Sequence, residues 1–272
     1  MSEIHTFFAP DLAAHAAAGT SRDPAAATCA HIVLEGQECK HLVSVLRLGP
    51  GAEVRIMDGM GHVARARVEQ TDKRKATLSL MDVQAVPRPS SLPVMALAFS
   101  KAVRRGFFLE KAVELGAHEV WLWQGDHSQG KLPADARDSW QAKMIAGCKQ
   151  SSNPWLPNVR AFSKGLSEVV DAAAHFEQHI LPWEMQHDVP MVTVNELGQP
   201  GRTIYIIGPE GGFSQRELDL LSSSGYRAVS FGQRILRCET AATLCLGLHW
   251  WASQQKGRPD APREQAQEPK QQ

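Results

Sequence analysis

The chain has 272 residues, of which 43% are hydrophobic and 21% charged, a composition that excludes wholesale disorder and allows two domains. Lys and Arg together number 29, as do Asp and Glu, so the net charge is zero and bulk positive charge cannot drive binding to a polyanion. The cysteines are odd in number and show no C-x-x-C spacing, which argues against a disulfide scaffold or a zinc site: Cys29, Cys39, Cys148, Cys238 and Cys245. We therefore expect reduced thiols and no metal.

The N-terminal segment MSEIHTFFAPDL carries Glu3 and Asp11 and lacks an apolar core of signal-peptide length. No run of eighteen apolar residues occurs, so no membrane span is expected. These features predict a cytoplasmic protein.

Short segments with alternating apolar residues dominate the first part of the chain. The alternation predicts antiparallel strands at 31–35, 52–59, 62–70 and 76–83, with one short helix at 38–48. We predict a small β-barrel domain over residues 1–86. Prolines and serines are concentrated in AVPRPSSLP at 85–93, which predicts a linker over 87–93.

After the linker, strands alternate with helices. Strands are predicted at 94–100, 118–123, 179–184 and 203–208, and helices at 106–116, 134–151 and 165–176. This order predicts an α/β domain over 94–255 with a mostly parallel sheet covered on both faces. Residues 256–272 contain almost no apolar side chains and are expected to be disordered.

A glycine-rich loop follows the strand at 203–207, and a helix follows the loop. The loop reads Gly208-Pro209-Glu210-Gly211-Gly212, and Ser214 with Glu217 forms an S-x-x-E capping box at the helix start. Such a loop is either an ordinary tight turn or a ligand site, because glycines let main-chain groups approach a ligand closely. No Lys-Ser/Thr pair follows, and Glu210 would repel a triphosphate, so a neutral or cationic ligand such as a sulfonium-bearing adenosine fits better.

A second strand–loop–helix unit follows directly, with a strand at 226–231, a connection at 232–240 and an apolar helix at 241–251. Arg237 and Glu239 lie between apolar elements, so we expect them to form an ion pair at the helix start or to be functional. The helix carries too many apolar side chains to face water, which places it in the core or at a subunit interface: Leu244, Leu246, Leu248 and Trp250.

The segments IGPEGGFSQRELDLL and FGQRILRCETAA resemble the paired C-terminal motifs of the RsmE-type ribosomal RNA uridine-N3 methyltransferases, members of the SPOUT class. HLVSVLRLGPG and EKAVELGA extend the resemblance over almost the whole chain except the tail and residues 12–30. The resemblance implies a PUA-like first domain, a trefoil-knotted second domain and a homodimer. It also implies S-adenosyl-L-methionine as cofactor and 16S ribosomal RNA of the small ribosomal subunit as substrate.

The loops and the resemblance together predict a set of cofactor-binding residues: Leu181, Pro182, Ile207, Gly208, Pro209, Glu210, Gly211, Gly212, Phe231, Gly232, Ile235, Leu236 and Arg237. Arg237 is also our candidate catalytic residue, because a permanent cation stabilises charge that develops on a uridine deprotonated at N3. Glu239 is expected to orient Arg237 or to act as the base.

Candidates for RNA contact lie elsewhere in the chain. Lys101, Arg104 and Arg105 cluster after the first strand of the second domain and are candidates for binding phosphate, and Trp155 is a candidate for base stacking. The chain departs from the family pattern at His5, His127 and Asn153, where arginine is usual. These departures leave three alternatives open: a non-catalytic RNA-binding protein of the same fold, a methyltransferase with a different RNA target, and an α/β enzyme that uses another nucleotide.

Overall fold

A computed structural model describes residues 4–18, 30–99, 102–133, 137–183 and 189–256. Apart from Lys256, the tail predicted to be disordered lies outside the described residues. None of the helices within these ranges has the length and apolar character that a membrane crossing requires. The same ranges hold no group of three His, Cys, Asp or Glu side chains arranged for a metal ion.

The N-terminal sheet has five strands in the order β1-β3-β4-β5-β2. They are β1 (Thr6–Phe8), β2 (His31–Glu35), β3 (Glu53–Met57), β4 (His62–Thr71) and β5 (Lys75–Ala85). Neighbours are antiparallel except β1 and β3, which pair in parallel. In β2, Ile32 and Leu34 are buried while the residues between and beside them are exposed, as the period of two predicts.

Two helical segments pack on this sheet. The first is α1 (Leu12–Ala18), and α2 (Gly36–Lys40) runs on into a π-helical turn at His41–Val45. The helix predicted at 38–48 therefore begins and ends earlier than expected. Arg47 has a φ of 55°, a left-handed conformation that stops a helix at its C-terminal end.

The sheet of the second half has six strands, all parallel, in the order β11-β9-β10-β6-β7-β8. They are β6 (Ser91–Ala98), β7 (Glu119–Trp123), β8 (Asn158–Phe162), β9 (Gln178–Pro182), β10 (Gly201–Ile207) and β11 (Arg227–Val229). The helices are α3 (Ala102–Glu114), α4 (Arg137–Ser151), α5 (Leu166–Ala173), α6 (Gln215–Ser223) and α7 (Cys238–Lys256), with a 3₁₀ turn at Val194–Glu196. Strand β8 was not predicted, because it lies at the edge of the sheet and its exposed residues mask the pattern.

The predicted linker is too long at its C-terminal end. Strand β6 begins at Ser91, so the last three residues of 87–93 belong to the sheet. Their main chain pairs along β10, where Ser91 lies opposite Gly201 and Pro93 opposite Thr203. Tertiary pairing thus extends a strand into a segment whose prolines favoured a linker.

Both faces of the six-stranded sheet are covered. On β10, Tyr205 and Ile207 contact the core that contains Phe108 of α3 and Leu246 of α7. The alternate residues of β10, Ile204 and Ile206, point to a second core. This core also contains Val169 of α5 and Leu221 of α6. This burial of both faces confirms the doubly covered parallel sheet that the order of the elements predicted.

Helix α7 is anchored to the sheet by a buried polar chain. The Ser91 hydroxyl donates to the Gln199 carbonyl (2.6 Å) and lies 2.7 Å from His249 Nε2, while the Tyr205 hydroxyl lies 2.8 Å from His249 Nδ1. Since the only Ser91 proton is already donated, the Ser91 oxygen accepts from His249 Nε2. Both ring nitrogens of His249, a residue that is 1% exposed, thus have polar partners on the sheet.

Trp155 lies at the junction of the two sheets. It forms an isolated β-bridge with Met60, and the Leu156 amide donates to the Gly59 carbonyl (2.8 Å). The indole packs on the main chain of Gly61, and the Arg88 guanidinium lies 4.5 Å from the indole centroid. Trp155, the candidate for stacking on an RNA base, therefore makes contacts within the fold through its ring.

We expect Gly61→Ala to lower the free energy of unfolding by about 2–4 kcal/mol, since it adds left-handed strain and overpacking. Gly61 has a φ of 97°, and a Cβ there would lie 2.3 Å from the Trp155 ring. Gly51→Ala is the matched control, because Gly51 has a similar φ of 89° but open space around a Cβ. Urea unfolding measures both, and equal losses would contradict a specific contact with the indole.

Candidate functional site

A cavity of about 690 Å³ opens at the carboxyl ends of β9, β10 and β11. The three strands are adjacent and parallel, so the segments that follow them meet at one edge of the sheet. Pro182 ends β9 and Trp183 follows it, the loop at 208–214 follows β10, and the connection at 230–237 follows β11. The volume is in the range of small-molecule sites, and the position is the usual one for ligands of parallel sheets.

The two sequence motifs thus meet in space. Among the predicted cofactor-binding residues, all but one line the cavity: Pro182, Ile207, Gly208, Pro209, Glu210, Gly211, Gly212, Phe231, Gly232, Ile235, Leu236 and Arg237. The exception is Leu181, whose side chain is 4% exposed and belongs to the α5–α6 core. Side chains alternate along a strand, so Leu181 and Pro182 point to opposite sides.

Sequence reasoning missed several lining residues: Trp183, Phe213, Leu218, Arg234, Cys238 and Ala241. Phe213 and Arg234 lie within the motifs and were within reach of the sequence argument. The Phe213 ring stacks between two indoles, with centroids 6.0 Å from Trp123 and 6.4 Å from Trp183. This stack of three rings supports the loop after β10. The three residues are far apart in the sequence, so only the fold brings them together.

Two glycines shape the cavity wall through their backbone conformation. Gly212 has a φ of 78° and Gly232 a φ of 125°, values that L-residues with a Cβ rarely adopt. A Cβ built on either residue meets no atom within 4 Å, so the main chain there faces open space. The chain therefore leaves room beside its backbone at both positions, where a side chain would otherwise project.

Gly211 is required for a different reason. A Cβ at Gly211 would lie 2.8 Å from the Cβ of His127, in the connection after β7. His127 Nδ1 lies 3.1 Å from the Gly212 carbonyl oxygen, so the two loops are in direct contact. Gly211 thus permits one loop to pack on the other, a role that no local pattern indicated.

Arg237 and Glu239 lie in different environments. Arg237 is exposed and lines the cavity, whereas Glu239 is 9% exposed in the first turn of α7. The Cys238 thiol donates to Glu239 Oε2 (3.4 Å). Burial, and secondarily this hydrogen bond, raises the pKa of Cys238 to about 11, so the thiol is protonated at neutral pH and is no nucleophile.

The candidate RNA-binding residues are only partly described. Lys101 and the side chain of Arg104 lie outside the described residues. Arg105 is half-buried, and its guanidinium lies 4.2 Å from the centroid of the Phe99 ring at the carboxyl end of β6. It therefore lies at the same edge of the sheet as the cavity.

Two of the three departures from the arginine pattern make contacts within the fold. His127 contacts the Gly212 carbonyl, as described above, and Asn153 Nδ2 donates to the Val113 carbonyl (2.8 Å). Asn153 Oδ1 also accepts from the Trp155 amide (3.0 Å), which orders the turn at the junction. Both side chains therefore have partners within the fold.

Two loops enclose a cavity at the carboxyl edge of a parallel sheet, and a small β-domain precedes that sheet in the chain. This is the architecture of SPOUT-class RNA methyltransferases. In agreement, residues 88–250 match the RNA methyltransferase domain family and residues 34–81 the RNA methyltransferase PUA domain family. The chain belongs to the RNA methyltransferase family that includes the ribosomal RNA small subunit methyltransferase E proteins. The fold class inferred from the resemblance, PUA-like domain plus SPOUT-type α/β domain, is confirmed.

Individual relatives support this assignment over most of the chain. The ribosomal RNA small subunit methyltransferase E of Mycobacterium bovis is 30% identical over 233 residues, covering 81% of this chain and 86% of the relative. The protein of the same name from Synechocystis is 29% identical and covers 80% of this chain and 72% of the relative. A putative methyltransferase from Legionella pneumophila, solved with the bound cofactor SAM, has a TM-score of 0.76 at 25% identity, with 92% and 98% of the chains covered.

Proposed function

We propose that the protein methylates N3 of a uridine in 16S ribosomal RNA of the small subunit, with S-adenosyl-L-methionine as methyl donor, and that it acts in the cytoplasm. The observation that carries the proposal is the cavity, since both sequence motifs of the resemblance contribute its walls. The RNA substrate rests on family membership and on the names of the relatives. The choice of N3 rests on the motif resemblance.

The cavity suits this cofactor. The space beside Gly212 and Gly232 is open, and the rings of Trp183 and Phe213 supply apolar wall. Glu210 is exposed on the loop and places negative charge where a sulfonium would be attracted and a triphosphate repelled. When bound, S-adenosyl-L-methionine supplies an already activated methyl group, so the residues of the chain have to align the acceptor and exclude water.

Arg237 is the residue that we assign to the acceptor. It is exposed at the cavity, where its guanidinium can donate to a uridine carbonyl oxygen as negative charge develops on deprotonation of N3. Glu239 does not reach the cavity wall in the described residues, so we assign it to the start of α7 and not to proton transfer. Because N3 lies on the pairing edge of the base, the target uridine has to be unpaired or extruded.

Mass spectrometry of 16S ribosomal RNA from a strain that lacks the gene tests the proposal. We expect one N3-methyluridine to disappear and to return with the wild-type gene but not with an Arg237→Ala allele. A methyl group lost from another nucleotide would identify a different target. An unchanged methylation pattern, together with RNA binding by the purified protein, would instead identify a non-catalytic RNA-binding protein.

We also propose a homodimer that pairs through α7. Trp250 and Trp251 are each 46% exposed near the end of the helix, and two adjacent half-exposed indoles favour a contact with another surface. Leu246 belongs to the core, because its side chain is fully buried within the same chain. Leu244 and Leu248 are half-buried.

Trp250→Glu combined with Trp251→Glu should convert the dimer to a monomer, because two charges would be buried without partners. Light scattering at micromolar concentration measures the mass. Phe107→Glu is the matched control, since Phe107 is 50% exposed on α3 and should leave the mass unchanged. A wild-type protein of monomeric mass would contradict the proposed dimer.

A further inference from the structure

The connection after β7 is joined to the cofactor loop by a hydrogen-bond network centred on Asp126. Ser214 Oγ donates to Asp126 Oδ2 (2.6 Å), and Arg216 donates to Asp126 Oδ1 (2.7 Å). In the other direction, the Asp126 amide donates to Glu217 Oε1 (2.9 Å). The two hydrogen bonds from Ser214 and Arg216 lower the pKa of Asp126, so its carboxylate is ionised at neutral pH.

The same residues cap helix α6, directly after the glycine loop. Glu217 Oε2 accepts from the Ser214 amide (2.8 Å), and Ser214 Oγ accepts from the Glu217 amide (3.2 Å). Glu217 is 2% exposed, so its bonds are shielded from water, whereas the Arg216 side chain is 76% exposed and its ion pair with Asp126 is screened. The links through Ser214 and Glu217 therefore carry most of the connection between the two loops.

This connection acts on a loop that is rich in glycine. Three of its residues are glycines, which lose the most conformational freedom on ordering, and Gly212 is held in a left-handed conformation. The neighbouring turn also contributes His127, which contacts Gly211 and Gly212. Asp126 is not among the described residues that line the cavity, so any effect on a ligand is transmitted through the loop.

Resting on the proposed function, we infer that Asp126 is a positioning residue for cofactor binding. Its carboxylate, through Ser214, and its main-chain amide, through Glu217, hold residues 208–214 in the conformation that lines the cavity. The capping box alone would hold only the helix start, whereas Asp126 connects that start to the turn after β7. Loss of the Asp126 side chain removes the bond to Ser214 and keeps the amide bond to Glu217, so it should weaken cofactor binding more than it weakens the fold.

The test compares Asp126→Ala with the matched control Asp219→Ala. Asp219 is an exposed carboxylate on the same helix that accepts from Gln215, one turn earlier. By calorimetry, Asp126→Ala should bind S-adenosyl-L-methionine about tenfold more weakly, the order expected for one charge-assisted hydrogen bond, while the control stays near wild type. At saturating cofactor both variants should keep the wild-type kcat, and Asp126→Asn, which retains one acceptor oxygen, should recover part of the affinity.

Hydrogen exchange of the free protein supplies a readout that needs no cofactor. Amides of residues 210–213 should exchange faster in Asp126→Ala than in Asp219→Ala, with melting temperatures that remain alike. Equal affinity and equal exchange in the two variants would overturn the inference, as would a fall in melting temperature with no change in affinity. If the wild-type protein does not bind S-adenosyl-L-methionine at all, the proposed function fails, and the exchange comparison alone decides the role of Asp126.

Discussion

Arg237→Ala should slow methyl transfer in a single turnover by about a hundred- to a thousandfold, the usual loss when one donor to a developing oxyanion is removed. Its affinity for S-adenosyl-L-methionine should stay close to wild type, because the cavity is walled mainly by main-chain and apolar groups. The stability should also hold, since the Arg237 side chain is exposed. Stability, affinity and rate are measured on one preparation.

Two further variants sharpen this comparison. Arg237→Lys should recover only part of the rate, because a point charge cannot reproduce the planar guanidinium. Arg227→Ala is the matched control, since Arg227 is half-exposed at the opposite end of β11 and pairs with Glu196 (2.7 Å). A loss of rate no larger than the loss of affinity would show that Arg237 serves the cofactor or the fold and not the acceptor.

Ala241→Phe should reduce the affinity for S-adenosyl-L-methionine by more than about a hundredfold, because the ring fills space that the ligand needs. Ala241 lies one turn into α7 and lines the cavity, and it also packs on the main core. The larger side chain should cost about 1–3 kcal/mol of stability, which leaves the protein folded for titration. Calorimetric titration measures the affinity.

Thr240→Phe is the control for this prediction. Thr240 precedes Ala241 on α7, is exposed, and does not line the cavity in the part of the chain that the structure describes. It adds a ring of the same size outside the proposed site, so binding should remain close to wild type. Undiminished affinity in folded Ala241→Phe would place the cofactor elsewhere.

The turn that contains Asp126 bears on both predictions, because the cofactor loop and Arg105 lie at the same edge of the sheet. The turn that follows β7 contacts the cofactor loop through His127 and approaches Phe99 at Gly130, whose added Cβ would lie 4.0 Å from that ring. Under the proposed function, RNA that contacts Arg105 would lie against the same turn that contacts the cofactor loop. Binding of the two substrates is then expected to be coupled through packed residues.

Much of the architecture follows from local pattern. Alternation of apolar residues predicted four of the five N-terminal strands, and the β-branched run at 203–207 predicted a buried central strand. The capping box of Ser214 and Glu217 is present as expected, because it needs only residues three apart on one helix. Short or edge elements escaped this reasoning, as β1 and β8 show, since three to five residues with mixed exposure carry too weak a period.

By itself, the sequence determined the class of fold, the two glycine-bearing loops and the place of both at strand ends, because these depend on neighbouring residues. Only the tertiary structure decided which residues face the cavity and which face the core: Pro182 lines the cavity, and Leu181 is buried in the core. It also decided that Trp155 joins the two sheets and that Ser214 bonds to Asp126, 88 residues away. Such contacts carry no periodic signal, since they arise when parallel strands bring distant loops to one edge of the sheet.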